Sequence, residues 1–84
     1  MNSPAKTLER ILGGTADANV RFRDLRRLLK ALQFDERVRG DHHIFSREGV
    51  VEIINLQPAG ALAKPYRVKQ VRQLILKYQL GNRP

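Results

Sequence analysis

The spacing of apolar residues changes twice along these 84 residues, and that change limits the folds open to the chain. From Phe22 the apolar positions are Phe22, Leu25, Leu28, Leu29 and Leu32, the recurrence of an amphipathic helix, with Arg23, Arg26, Arg27 and Lys30 on the opposite face. Beyond Phe34 the spacing gives way to short β-branched and aromatic runs, broken by Gly40 and by Arg47-Glu48-Gly49. Three strands joined by tight turns fit, at about Phe34 to Arg39, His42 to Ser46 and Val50 to Leu56. Pro58 and Gly60 open a loop that runs to Pro65, which cannot lie in a helix interior. After it Val68, Val71, Leu74, Ile75 and Tyr78 return to helical spacing, with Lys69, Arg72, Gln73 and Lys77 on the far side. Upstream, Ser3-Pro4 starts a short helix that Leu8, Ile11 and Leu12 face on one side and Gly13-Gly14 ends. Helix, helix, three antiparallel strands, helix is the order of an α+β fold with helices packed on one face of a small sheet.

A chain of this length forms one domain and buries only about 60 to 65% of its unfolded surface, which excludes a second catalytic domain. Its 42% hydrophobic content is that of a folded protein, so the net charge of +8 is carried on a folded surface. Such a surface favours a polyanion, because neutralised phosphates release their counterions. After Glu52 there is no acidic residue, against six Lys and Arg, so the closing helix is expected to be more positive than the average of the chain. Without cysteine there is no disulfide framework, thiolate metal site or cysteine nucleophile. No apolar run approaches the roughly 20 residues of a membrane span, and the first residues lack the apolar core of a signal peptide. The chain reads as cytoplasmic.

The chemistry-bearing residues are few. His42 and His43 are neighbours in an expected strand and therefore point to opposite faces, so they do not converge on one metal ion. Nothing has the spacing of a metal-binding helix or cluster, and neither a metal nor a cofactor is expected. One histidine suffices for another chemistry. Histidine takes a proton near neutral pH, and RNA carries its own nucleophile, the 2′-hydroxyl, while Lys or Arg can stabilise charge on the phosphate oxygens. Periodicity does not choose between the two histidines, since Ile44, in phase with His42, and Phe45, in phase with His43, are both apolar. The alternatives without chemistry are a histidine buried in the sheet, solvated basic helix faces, and a basic surface that holds RNA or an acidic protein without cutting. Asp35, Glu36, Glu48 and Glu52 are expected on solvated strand edges and turns.

Leu29-Lys30-Ala31-Leu32-Gln33-Phe34, followed by Arg37-Val38-Arg39-Gly40-Asp41-His42-His43-Ile44-Phe45, resembles the leucine-rich helix and Gly-Ser-His-His-x-Phe strand of the HicA family of toxins. Glu52 to Pro58 and Lys64-Pro65-Tyr66, leading into Val68-Lys69-Gln70-Val71-Arg72, resemble the third strand and closing helix of one subgroup. The resemblance covers roughly residues 22–80. It implies a fold similar to the double-stranded-RNA-binding domain and metal-independent cleavage of messenger RNA by a strand histidine. It also implies the cytoplasm of a bacterium and neutralisation by a HicB-type antitoxin. The family's catalytic histidine, two positions after the glycine, corresponds to His42. Independently of the resemblance, Lys64, Lys69 and Arg72, in acid-free surroundings, and Arg39 are expected to contact RNA. Residues 21–80 would form the HicA-like domain, 1–20 an N-terminal extension with a short helix, and 81–84 a tail. Asp41 replaces the usual serine. Gln33 and Gln79 stand where a helix-ending glycine is common, and frayed or reorganised ends are expected there.

Overall fold

Helix α2 (Phe22–Ala31) is the organising element because its apolar stripe is continuous: Phe22, Leu25, Leu28 and Leu29 are all buried. Asp24 in its first turn and Lys30 in its last complement the helix dipole. Helix α1 (Pro4–Gly13) begins as its sequence dictates, with the Ser3 hydroxyl accepting from the Lys6 N–H at 3.2 Å and Pro4 in the first turn. Gly14, at φ 76°, ends it in the left-handed conformation. The structure is a computed structural model and describes residues 2–81. Three strands follow, β1 (Asp35–Arg39), β2 (His42–Arg47) and β3 (Val50–Leu56), antiparallel in the order β1-β2-β3. A short hairpin of β4 (Pro58–Ala59) and β5 (Leu62–Ala63) precedes the last helix, α3 (Pro65–Tyr78).

The expected α+β architecture is thus the one observed, and the strand register fixes which residues share a face. Glu36, Phe45 and Ile54 lie side by side, as do Val38, His43 and Leu56. Phe45, Ile54 and Leu56 are buried against the helices, so this is the covered face. The alternate residues, Arg37, Arg39, His42, Ile44, Ile53 and Asn55, form the open face. The β2–β3 pairing is displaced between Phe45 and Arg47, where a bulge in β3 sets residues 51–53 opposite Ser46, while Ser46 stays paired with Asp35 of β1.

Several features differ from the sequence expectations. The expected N-terminal extension does have its short helix, and it packs into the domain: Ile11 and Val20 are buried in the same apolar core as Leu25, Phe45 and Val71. The loop after Pro58 is a hairpin, held to the start of α2 by the Phe22 N–H donating to the Ala61 carbonyl at 3.0 Å and the Ala63 N–H to the Val20 carbonyl at 2.9 Å. A 3-10 turn at Asp17–Asn19 joins α1 to α2. The ends of α2 and α3 are closed and not frayed. Gln33 and Gln79 adopt positive φ, 73° and 53°, and the next residues, Phe34 and Leu80, donate back to the carbonyls of Leu29 and Ile75 at 3.0 and 2.9 Å. Burial of Phe34 and packing of Leu80 on the core offset the roughly 1 kcal/mol strain of a non-glycine residue there. Of the expected tail 81–84, residues 82–84 lie outside the described residues.

Candidate active site

The turn Gly40-Asp41 delivers His42 to the open face. Gly40 sits at φ 59°, a conformation open to it for want of a Cβ, and a two-residue loop of this kind keeps the strands in register. Arg39 is the direct cross-strand partner of His42, and Arg37 is the partner of Ile44 one row further on. Continued beyond Leu56, the β2–β3 register places Gln57 opposite His42 and Asn55 diagonal to it. The imidazole of His42 is 45% exposed, which leaves it reachable from solvent. Its Nδ1 lies 3.2 Å from Asn55 Oδ1 and its Nε2 3.3 Å from Gln57 Nε2. Asp41 completes the group: its Oδ1 is 3.8 Å from His42 Nε2, and its Oδ2 accepts from Gln57 Nε2 at 3.3 Å.

His43 has the opposite environment. Its ring packs edge-on to Phe22, with centroids 4.9 Å apart and planes at 74°. Its Nδ1 lies 2.8 Å from Glu36 Oε2. Glu36 also accepts from Arg26 Nε at 2.6 Å and from the second guanidinium nitrogen at 2.9 Å, while Lys30 Nζ stands 3.8 Å away. The Glu36 side chain is only 6% exposed, so this carboxylate is not the solvated edge residue expected of β1. Arg26, above all, and His43 hold its carboxyl down at about 2 despite the burial. A carboxylate so held only accepts, so His43 Nδ1 carries a proton and donates it. The arrangement ties α2, β1 and β2 together and leaves His43 a structural part.

The cations expected to face RNA divide. Arg39 is exposed beside His42. Lys64 stands at the start of α3, followed by Arg67, whose guanidinium lies over the Tyr66 ring at 5.0 Å. Lys69 is exposed on α3; the Asp17 carboxyl is held below its ordinary value chiefly by the hydrogen bond from Arg72, with Lys69 adding the least. Arg72 departs from the expectation. Its guanidinium reaches both oxygens of Asp17 at 2.8 and 3.1 Å and the Ile11 carbonyl at 3.2 Å, so it joins α3 to α1 and the 3-10 turn. The segment after Glu52 lacks acids in sequence but not in space: Lys77 is 2.7 Å from Glu52, whose carboxyl is drawn down to about 2 by Lys77 and Tyr78.

Arg37, Asn55 and Gln57 were not singled out by the sequence. A polar Asn55 within the apolar run Val50 to Leu56 was the available signal, but its meaning depends on a register that periodicity does not supply. Among the described residues no group of three His, Cys, Asp or Glu could hold a metal ion, and no helix is long and apolar enough to cross a membrane. A surface hollow of about 530 Å³ lies on α1, lined by Lys6, Glu9 and Arg10 among others, away from His42. The candidate site is therefore an open sheet face, suited to a ligand that lies across it, and not a cleft. Compared with family models, curated proteins and solved structures, the chain matches none, so the functional reading rests on the geometry of the His42 face and on its sequence motifs.

Proposed function

We propose that the chain is an RNA-binding endoribonuclease that needs no metal, the toxin of a bacterial toxin–antitoxin pair of the HicA type, with His42 as general base. The observation that carries this reading is the exposed His42 imidazole on an open face, with Arg39 next to it and the other histidine committed to Glu36. The order α2, three strands, α3 is also the one that the HicA resemblance leads one to expect. An RNA strand lying across the open face brings a 2′-hydroxyl to the imidazole, which takes its proton. The 2′-oxygen bonds to the adjacent phosphorus, and the bond from phosphorus to the 5′-oxygen breaks. The departing oxygen takes a proton from water, and the imidazolium returns its own to solvent. Arg39 and Arg37, on the same face, are placed to stabilise charge on the phosphate oxygens. Lys64 and Lys69 belong to the helical layer on the other side of the sheet, so they would contact only RNA that passes round its edge; Arg72, engaged by Asp17, is left out of the set.

Such an enzyme acts in the bacterial cytoplasm, and a HicB-type antitoxin would silence it by laying acidic or polar groups over His42. The test is RNA cleavage and growth inhibition by a His42→Ala variant shown to be folded. Loss of both supports the reading. Full activity in that variant, with a folded His43→Ala variant inactive, overturns the assignment. A protein that shifts RNA in a gel and never cuts it, even in excess, is a binding module instead.

A further inference from the structure

We infer that Asp41, Gln57 and Asn55 are positioning residues that hold His42 in a single tautomer, with the proton on Nδ1 and the basic lone pair on Nε2. The argument starts at Asp41, whose ionised carboxylate can only accept. Its Oδ2 lies 3.3 Å from Gln57 Nε2, and this fixes the orientation of the amide, because turning it over would set Gln57 Oε1 against the carboxylate. The same amide nitrogen lies 3.3 Å from His42 Nε2. An amide nitrogen only donates, so Nε2 must accept. In the neutral ring the proton is then on Nδ1, which donates to Asn55 Oδ1 at 3.2 Å. Donor and acceptor roles thus follow from one end of the chain of contacts to the other.

The catalytic meaning of this arrangement rests on the ribonuclease reading. Nε2 is the atom that receives the 2′-hydroxyl proton, and the hydroxyl must take the place of Gln57 at that lone pair. Gln57 is tethered there by a bond to an exposed aspartate, so it yields to an incoming strand at little cost. Asn55 keeps its contact throughout and accepts from Nδ1 when the ring is neutral and when it is charged. Asp41, where serine is usual in the family, orients the amide that orients the base.

The tautomer can be read without RNA. Long-range proton–nitrogen NMR of nitrogen-15-labelled protein, recorded at a pH where the ring is neutral, gives distinct shifts for a protonated and an unprotonated ring nitrogen. We expect a protonated Nδ1 and a lone pair on Nε2 for the wild type. Asn55→Leu should move the tautomer ratio by roughly 3- to 10-fold toward the proton on Nε2, while Asn55→Asp, which keeps an acceptor at that place, should retain the wild-type form. Cleavage should fall in parallel in Asn55→Leu, in kcat and not in KM. A wild type with its proton on Nε2, or an Asn55→Leu variant with an unchanged ratio, overturns the inference. A wild type in the expected tautomer that leaves RNA intact overturns the ribonuclease reading and leaves the positioning roles standing.

Discussion

His42 and His43 are adjacent in sequence and differ in almost everything that decides what a histidine does. One stands on the open face among exposed arginines; the other packs on Phe22 and bonds a buried carboxylate. That carboxylate, Glu36, makes the clearest prediction at this scale. Its pKa falls from the ordinary 4.5 to about 2 on folding, through Arg26 first and His43 second. A depressed folded-state value means stability that is fully present above pH 4.5 and is lost as the pH falls toward 2. Because Arg26 reaches solvent, screening reduces the contribution to about 1–2 kcal/mol. Glu36→Gln should therefore be less stable than wild type by about that amount at pH 7, and the gap should shrink steadily between pH 4.5 and 2. Urea denaturation of both proteins across that range is the measurement. A gap as large at the acid end as at pH 7 would show that the ion pair contributes nothing of its own.

At the scale of elements, the contribution of α1 is the point at which sequence and structure part. Ile11 has no exposed surface and joins the core formed by α2, the sheet and α3, whereas its neighbour Leu12 is 41% exposed. Ile11→Ala should cost about 2–5 kcal/mol in chemical denaturation and Leu12→Ala about 0.5 or less. Equal, small effects would mean that α1 contributes little to the stability of the core. The helices and the three main strands were legible because their apolar spacing is local information. The order of the strands was legible from the tight turns at Gly40 and Gly49. What could not be read depends on residues distant in the chain. Glu36 lies in the polar stretch Asp35 to Arg37 and is buried only because α2 lays Arg26 over it. Arg72 finds Asp17 across 55 positions of sequence. The hairpin in residues 58–63 was obscured by Pro58 and Gly60, which signal a loop as readily as a two-residue strand. As for the site, the glycine-histidine motif pointed to His42, and Arg39 followed from the same strand pair. Asn55 and Gln57 became visible only with the register.

The whole molecule, with a radius of gyration of 11.7 Å, has the compactness usual for a folded chain of this length. Among the described residues His42 lies on an open face, so on the proposed reading specificity and catalysis would come from a surface. Of the sixteen Lys and Arg, Arg26, Arg72 and Lys77 are paired with acids within the fold, so the net +8 is carried by the other cations. Arg37 and Arg39 remain exposed on the face of His42, while Lys69 is exposed on α3, in the helical layer on the other side of the sheet. On the proposed reading, an RNA lying along Arg37 and Arg39 would meet the histidine without any lid having to move. The central claim is that the face cuts RNA by using the 2′-hydroxyl next to the broken bond, without metal. It is tested most directly with one RNA oligonucleotide, in the presence of a metal chelator, and a copy that carries a single 2′-deoxy residue on the 5′ side of the mapped cut. The account predicts cleavage of the first, leaving a 2′,3′-cyclic phosphate, and an intact bond at that position in the second. Cleavage of the deoxy-substituted bond at the same rate, or activity that disappears with the chelator, would contradict it.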